Sequence, residues 1–219
     1  MLGLLGGTFD PVHLGHLRLA EELAEALALR ELRLIPVGTP PHRGAPLASA
    51  QARLEMTRLA VANHPVLTVD SCEVLRTGPS FTVNTLKAIR AQQAGVPVCL
   101  LMGADAFAGL ASWHSWRELP ALAHIVVASR SGHAAGRAPT AVAELWPDGP
   151  VRHPDALRDR PHGLLLEVGI TGLDVSASRV RELLRLGRSV RYLLPDAVLE
   201  YILRHGLYGG IALPQSGRL

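Results

Sequence analysis

The segment Gly6–His16, with the sequence GGTFDPVHLGH, holds the densest set of residues that could do chemistry. His13 and His16 are three residues apart, so a helix beginning here would carry both imidazoles on one face. A helix N-terminus offers free N–H groups and the positive end of the dipole, and both favour anions. Gly6-Gly7 predicts a tight turn after the first strand, and Gly15 leaves room for a ligand against the backbone, because glycines let a backbone approach phosphate oxygens closely. The segment therefore predicts a phosphate-binding turn, and the alternative is one buried structural histidine beside one surface histidine.

A second candidate element lies near the other end of the chain, where Asp174–Arg181 reads DVSASRVR. Serines at the entry to an amphipathic helix are ordinary N-caps and need no other function. Arg181 is predicted in the first helical turn, where a cation opposes the helix dipole. A phosphate bound in front of the helix would explain this arginine, and a solvated surface arginine is the alternative.

Further polar residues follow the predicted strands. Asp105 comes just after a strand-end glycine, where its carboxylate could accept hydrogen bonds from a ribose. Trp113 could stack on a planar ring of a ligand or pack in the core, and the core is the expected place of Trp116. Pro40–Arg43 could present His42 and Arg43 to a phosphate, or form an ordinary proline loop.

Strands and helices alternate along the chain. The predicted strands are Met1–Leu5, Arg33–Val37, Leu67–Cys72, Val98–Met102, Ile125–Ala128 and Leu164–Val168, and the predicted helices are Leu14–Leu29, Ser49–Asn63, Val83–Ala94, Ser178–Leu186 and Asp196–Arg204. This order predicts an α/β fold: a doubly wound, Rossmann-like parallel sheet with helices on both faces and a small C-terminal helical part. Ligands of such sheets bind beyond the carboxyl ends of strands, where the strand order reverses. The segments after Leu5, Val37 and Met102 are therefore the predicted site.

The length of 219 residues favours a single domain over residues 1–209. An irregular insertion is predicted at about 134–163, with one short helix at Ala138–Leu145, and residues 210–219 read as a loose tail. The insertion is either a plain surface excursion or a mobile loop over the site.

The composition limits the partners of the protein. Its net charge is +3 and Lys87 is its single lysine, so arginine supplies nearly all the cations. That bias suits phosphate binding, and it would also follow from genome composition. We expect no nucleic acid partner, because basic residues are not interleaved with aromatics. We expect no membrane span and no signal peptide, and hence a cytoplasmic protein. Cys72 and Cys99 lack metal-ligand or disulfide spacing and are predicted to be buried thiols in strand-like runs.

These motifs resemble a known family. Gly6–His16 is similar to the His-x-Gly-His signature of the nucleotidyltransferase superfamily, and its longer string resembles the bacterial nicotinate-mononucleotide adenylyltransferases. Asp174–Arg181 is similar to the second signature, Ile-Ser-Ser-Thr-x-x-Arg, with Ala177 and Ser178 in place of a serine and a threonine. The resemblance extends from Leu2 to Tyr208, and departures occur at Arg43, Phe81 and Asn84, where the family has lysine, tyrosine and aspartate.

The resemblance implies transfer of AMP from ATP to nicotinate mononucleotide in NAD biosynthesis, giving nicotinate adenine dinucleotide and pyrophosphate. It also implies Mg²⁺ carried mainly by the ATP phosphates, with no metal site on the protein. The residues it assigns are His13, His16 and Arg181 for catalysis; Gly7, Thr8, Phe9, His13, His16, Ser176, Ser178 and Arg181 for ATP; and His42, Arg43, Thr82, Gly103, Asp105, Trp113, His114 and Arg130 for the mononucleotide.

A phosphate monoester has a second pKa of about 6, so the attacking group is already largely dianionic and in-line attack needs no protein base and no covalent intermediate. Two other classes stay open: a nucleotide-binding module without turnover, and an oxidoreductase, whose Gly-x-Gly-x-x-Gly fingerprint is missing. Preference for nicotinate over nicotinamide follows from the resemblance alone. The sequence leaves open whether the protein forms a homo-oligomer.

Overall fold

A six-stranded sheet forms the centre of the computed structural model, which describes residues 1–41, 44–130 and 140–209. Its strands are β1 (Leu2–Gly7), β2 (Glu31–Pro36), β3 (Leu67–Val69), β4 (Val98–Gly103), β5 (His124–Arg130) and β6 (Leu165–Ile170). The strand order is β3-β2-β1-β4-β5-β6, and every neighbouring pair is parallel. The order reverses between β1 and β4, as it does in a Rossmann sheet. The predicted fold class is confirmed.

Apolar residues on successive positions of the central strands pack on opposite faces of the sheet. In β4, Cys99 and Leu101 belong to one buried cluster, whereas Leu100 and Met102 belong to the other. This alternation is the period of two that an extended strand imposes. Because both faces are apolar, both must be covered by helices.

Eight helices cover the sheet within the described residues. They are α1 (Leu14–Ala26), α2 (Ala50–Ala60), α3 (Cys72–Leu75), α4 (Thr82–Gln92), α5 (Ala104–Ala108), α6 (Thr140–Ala143), α7 (Ala177–Arg185) and α8 (Asp196–Arg204). Short 3-10 turns occur at Leu110–Ser112, Trp116–Ala121, Pro154–Arg158 and Leu207–Gly209. The C-terminal part places Val180, Val198 and Ile202 in the same buried cluster as Leu23 of α1. The main chain of this part also contacts α1, because Leu14 donates its N–H to the carbonyl of Leu193 at 2.9 Å.

Several local predictions were wrong. The strand β1 continues through Gly7, so the tight turn predicted at Gly6-Gly7 begins later. β3 ends at Val69, and Cys72 begins the short helix α3, where it is only half-buried. A strand run as short as β3 has no sequence signal that separates it from the polar turn that follows.

The described part of the predicted insertion, residues 140–163, packs into the core. α6 lies inside the predicted Ala138–Leu145 helix, and the turn at Pro154–Arg158 is an additional element. Val142 and Leu157 are fully buried, and the Trp146 indole N–H donates to the carbonyl of Gly163 at 3.0 Å. Residues 131–139 and the predicted tail at 210–219 lie outside the described residues. The single-domain organisation stays a prediction.

Candidate active site

A cavity of about 370 Å³ opens at the carboxyl ends of β1 and β4, where the strand order reverses. Its volume falls in the range of small-molecule sites, about 300–1,000 Å³. Eight of the predicted site residues line it: Gly7, Thr8, Phe9, His16, Thr82, Gly103, Trp113 and His114. Ser80 and Phe81, which were not predicted, line it as well. The cavity therefore joins the predicted phosphate turn to the predicted mononucleotide side.

The phosphate turn, residues Gly7–His13, has an unusual backbone at Phe9. Phe9 has a φ of +48°, in the left-handed region that a residue with a Cβ adopts at some cost. Its ring is buried, and a Cβ on Gly7 would lie 2.8 Å from that ring. The same ring meets the imidazole of His16 edge-on, with centroids 5.0 Å apart. The glycine thus makes room for Phe9, and Phe9 supports His16.

The two histidines of the first motif form a stacked pair at the start of α1. Their ring centroids are 3.7 Å apart, and the backbone N–H of His13 donates to Nδ1 of His16 at 3.3 Å. Because this Nδ1 accepts a hydrogen bond, a neutral His16 carries its proton on Nε2. Nδ1 of His13 is buried without a hydrogen-bond partner among the described residues. An unpaired buried nitrogen is costly and suits a site that a ligand completes.

Burial makes both imidazoles weak bases. Desolvation lowers the pKa of His13 to about 4. Desolvation, with a smaller contribution from the neighbouring His13, lowers the pKa of His16 to about 3. Both rings are therefore neutral at physiological pH in the ligand-free protein, and each offers one N–H donor to an anion.

Gly15 brings the two predicted signatures together. A Cβ at this position would lie 3.0 Å from Nδ1 of His13 and 3.3 Å from the carbonyl oxygen of Val175. Val175 belongs to the second signature, so the first turn of α1 packs directly on that segment. The sequence predicted that Gly15 leaves room for a ligand. The structure fills that room with protein atoms.

Arg181 reaches back from α7 to the phosphate turn. Its Nη1 donates to the backbone carbonyl of Asp10 at 2.6 Å, and its Nη2 donates to Oγ of Ser178 at 3.2 Å. Ser176 is the N-cap of α7 and accepts from the N–H of Arg179 at 3.2 Å. Because α7 begins at Ala177, Arg181 lies in the second turn and not in the first, so the helix-dipole argument for it was wrong. Arg181 nevertheless brings the second motif into direct contact with the first.

The Asp10 carboxylate connects four parts of the chain, a role that the sequence did not indicate. It accepts the N–H groups of Leu47 at 2.9 Å and Ala48 at 3.1 Å, and the hydroxyl of Tyr208 at 2.7 Å. One of its oxygens lies 3.9 Å from Nη1 of Arg181. Asp10 is buried, and three donors satisfy it. It therefore fixes the phosphate turn against the loop before α2 and against the C-terminal helical part.

The mononucleotide side is built around the start of α4. Thr82 is the first residue of this helix, and the N–H groups of Asn84 and Thr85 both donate to the carbonyl of Phe81. Phe81 cannot cap the helix with its side chain, and its ring stacks on His114 with centroids 4.3 Å apart. The helix thus presents an end without a side-chain cap, next to Thr82 and to the half-buried Trp113.

Some predicted site residues are not brought to the cavity. Asp105 is exposed in the first turn of α5 and is not among the residues that line the cavity. Trp116 is buried in the core, as expected. Arg130 ends β5, and its side chain lies outside what the structure describes. His42 and Arg43 also lie outside the described residues. The roles in mononucleotide binding that the resemblance implies for Asp105, Arg130, His42 and Arg43 stay predictions.

The sequence reasoning missed two buried charged residues near the cavity. Arg53 of α2 is 1% exposed, and Glu73 of α3 lines the cavity and is also buried. Glu73 accepts the hydroxyl of Thr85 at 2.7 Å, and burial raises its pKa. Arg53 precedes Met56 and Thr57 by three and four residues, on the buried face of α2. An arginine on an otherwise apolar helix face was the available signal.

The described residues contain no group of three His, Cys, Asp or Glu side chains placed to hold a metal ion. No helix in the described ranges has the length and apolarity needed to cross a membrane. Burial raises the pKa of each thiol, Cys72 and Cys99, to about 12, so both are protonated and poor nucleophiles.

Comparison with known proteins identifies the family. Residues 4–183 match the model of the family described as cytidylyltransferase-like. The "Probable nicotinate-nucleotide adenylyltransferase" of Halorhodospira halophila is 49% identical over 208 residues, which cover 95% of each chain. A relative of the same name from Pseudomonas syringae pv. tomato is 51% identical, over 94% of this chain and 93% of its own. The chain belongs to the nicotinate-nucleotide adenylyltransferase family.

Solved structures agree on the fold. A nicotinic acid mononucleotide adenylyltransferase of Plasmodium falciparum, complexed with NaAD, superposes with a TM-score of 0.72 at 14% identity and covers 95% of this chain and 97% of its own. The same enzyme complexed with APC gives a TM-score of 0.70 at 14% identity, over 95% of this chain and 96% of its own.

These comparisons confirm three predictions: the family, the fold class, and that the protein is a nicotinate-nucleotide adenylyltransferase. The individual residue assignments have no comparable test and stay predictions.

Proposed function

We propose that the protein transfers the adenylyl group of ATP to the phosphate of nicotinate mononucleotide, forming nicotinate adenine dinucleotide and pyrophosphate. The observation that carries this proposal is one continuous cavity that runs from the phosphate turn to Thr82 and Trp113. A triphosphate at one end and a mononucleotide at the other would meet phosphate to phosphate. The names of the relatives and the NaAD bound to the Plasmodium falciparum enzyme support the same reaction.

The chemistry is an in-line displacement. An oxygen of the mononucleotide phosphate attacks the α-phosphorus of ATP and forms a new P–O bond. The bond between that phosphorus and the bridging oxygen breaks, and pyrophosphate leaves with the electron pair. The attacking phosphate is largely dianionic above its second pKa of about 6, so no protein base and no covalent intermediate is required. The protein must hold two repelling anions in line and stabilise the charge on the leaving group.

The stacked histidines and Arg181 are suited to that task. His16 lines the cavity and carries its proton on Nε2 when neutral, so it is a hydrogen-bond donor to a phosphate oxygen. A bound triphosphate favours the protonated form of both imidazoles and so raises their pKa. We expect Mg²⁺ to enter on the ATP phosphates, because Asp10, the buried carboxylate of the phosphate turn, already accepts three hydrogen bonds.

The start of α4 supports selection of a nicotinate carboxylate. This 11-residue helix begins at Thr82, has no side-chain cap at Phe81 and faces the cavity. An uncapped helix N-terminus favours a carboxylate over a neutral amide. Trp113 on the same side of the cavity has a ring that can stack on the pyridine.

The experiment is pyrophosphate release from ATP and Mg²⁺ with either nicotinate or nicotinamide mononucleotide as acceptor. We expect kcat/KM to favour the nicotinate compound. If neither mononucleotide gives pyrophosphate release, the protein is better described as a nucleotide-binding module without turnover. We expect His16→Ala to lower kcat about 100-fold while ATP affinity changes much less, because the donor acts mainly on charge that develops in the transition state.

A further inference from the structure

A buried arginine links the phosphate turn to the loop after β2. Arg53 is 1% exposed, and within the described residues its guanidinium makes three hydrogen bonds, all to backbone carbonyls. Nη1 donates to Thr8 at 2.7 Å, Nη2 to Gly38 at 3.0 Å, and Nε to Ala48 at 3.3 Å. Thr8 lies in the phosphate turn, and Gly38 lies two residues after β2, in the loop that leads to Pro40 and Pro41. One rigid, planar group therefore sets the distance between these two segments.

The contact to Thr8 also fixes the direction of a backbone amide. In a trans peptide the C=O and N–H groups point in opposite directions. The Thr8 carbonyl points to Arg53, so the N–H of Phe9 points away from Arg53, and Thr8 and Phe9 are both among the residues that line the cavity. Phe9 is the residue with the left-handed φ of +48°. A strained residue persists only where its surroundings hold it, and here Arg53 holds the peptide before it while Arg181 holds the carbonyl of Asp10 after it.

Packing alone is a poor explanation for this arginine. A guanidinium without a hydrogen-bonded carboxylate is expensive to bury, and burial lowers the pKa of Arg53. An apolar side chain of similar volume would avoid that cost, but it would leave the carbonyls of Thr8, Gly38 and Ala48 without this donor. The retained cation therefore needs a reason that packing alone does not supply.

We propose that Arg53 is a positioning residue for the adenylyl transfer: it holds the phosphate turn and the loop after β2 at the separation that in-line attack requires. The residue touches neither substrate and acts through the carbonyls of Thr8 and Gly38. This inference rests on the proposed function.

Arg90 provides a matched control at the opposite end of the sheet. In the part of the chain that the structure describes, its guanidinium also donates only to backbone carbonyls, among them those of Val96 at 2.7 Å, Leu122 at 2.6 Å and Pro161 at 3.0 Å. Val96 and Leu122 precede β4 and β5, so these contacts lie at the amino ends of the strands, away from the cavity. Arg53→Lys and Arg90→Lys each keep one positive charge and lose the fork geometry.

The test compares the two variants by steady-state kinetics, calorimetric ATP binding and urea unfolding. For Arg53→Lys we expect kcat to fall about 10- to 100-fold, with the Kd of ATP changed less than about threefold, because alignment is lost before binding. For Arg90→Lys we expect a similar loss of stability and a kcat within about twofold of the unaltered protein.

Equal kcat values for the two lysine variants would overturn the role of Arg53, and so would a loss confined to ATP affinity. If Arg53→Lys fails to fold, Arg53→Gln, with unfolding measured first, is compared with Arg90→Gln in the same way. Failure of both Arg53 variants to fold while both Arg90 variants fold would assign Arg53 to stability and overturn the proposal. Absence of pyrophosphate release by the unaltered protein would overturn the proposed function and this inference together.

Discussion

Replacing Gly15 with alanine tests whether a glycine is needed at this position to let His13 and Val175 pack closely, and not to leave space for a ligand. The new Cβ would lie 3.0 Å from Nδ1 of His13 and 3.3 Å from the Val175 carbonyl, whereas ordinary contacts lie between 3.4 and 4 Å. The Val175 oxygen is backbone and moves little, so the His13 ring must shift by about 0.5 Å, the gap to ordinary van der Waals separation.

Two opposing terms set the stability of Gly15→Ala. Alanine in a helix gains about 1 kcal/mol over glycine, and overpacking a filled site costs about 1–3 kcal/mol. The net loss is then about 0–2 kcal/mol, which lowers Tm by at most about 8 °C for a chain of this size. The catalytic effect should be larger in proportion, because a shift of half an ångström in a ring that we propose to bind phosphate would cost about tenfold in kcat.

The assay is pyrophosphate release alongside thermal unfolding, with Gly95→Ala as the control. Gly95 is exposed, and no atom lies within 4 Å of a Cβ placed there, so this variant should change neither kcat nor Tm appreciably. A Gly15→Ala protein with unchanged kcat and raised Tm would refute the reasoning. It would show that the contact between the two signatures tolerates an added methyl group.

Three further predictions concern other parts of the site. Tyr208→Phe should lower the free energy of unfolding by about 1.5–3 kcal/mol, because the hydrogen bond to the Asp10 carboxylate is lost. Tyr192→Phe is the control, since Tyr192 is 85% exposed and its replacement should change the free energy of unfolding little. Equal urea midpoints for the two variants would contradict this prediction. Between pH 7 and pH 5, the free energy of unfolding of the ligand-free protein should fall by about 2 kcal/mol because of His13. Its pKa is lowered from 6.5 to about 4 in the folded protein, so the unfolded chain takes up the proton first as the pH falls. If His13→Asn shows the same dependence of stability on pH as the unaltered protein, His13 is not the cause. Trp113→Ala should raise KM for the mononucleotide about 2- to 10-fold, and an equal rise in KM for ATP would remove the stacking role.

The sequence predicted the features that depend on local pattern. Alternating apolar segments gave the parallel sheet, because strands joined by crossover helices have few other arrangements. The spacing of His13 and His16 at a helix start predicted their common face, and the structure stacks the two rings. The second signature was recognised from its serines and Arg181, and the contact of Arg181 with Asp10 brings it to the phosphate turn.

The features that the sequence missed depend on contacts between distant residues. Arg53 reads as one more charged residue of a helix until Thr8 and Gly38 are known to lie on either side of it. The room made by Gly15 could be assigned to a ligand only while the position of Val175 was unknown. The dipole argument for Arg181 failed because a helix start is uncertain by a residue or two in sequence.

The hydrogen bond between Asp10 and Tyr208 has a consequence for the growing polypeptide. These residues are 198 positions apart, so the ribosome finishes all six strands before the partner of Asp10 emerges. A chain that ends at residue 205 would already contain every strand of the sheet, yet it would lack the Tyr208 hydroxyl that donates to the Asp10 carboxylate beside the cavity. We therefore expect such truncated products to be compact and catalytically silent, and we expect competence to appear only after Tyr208 has been translated.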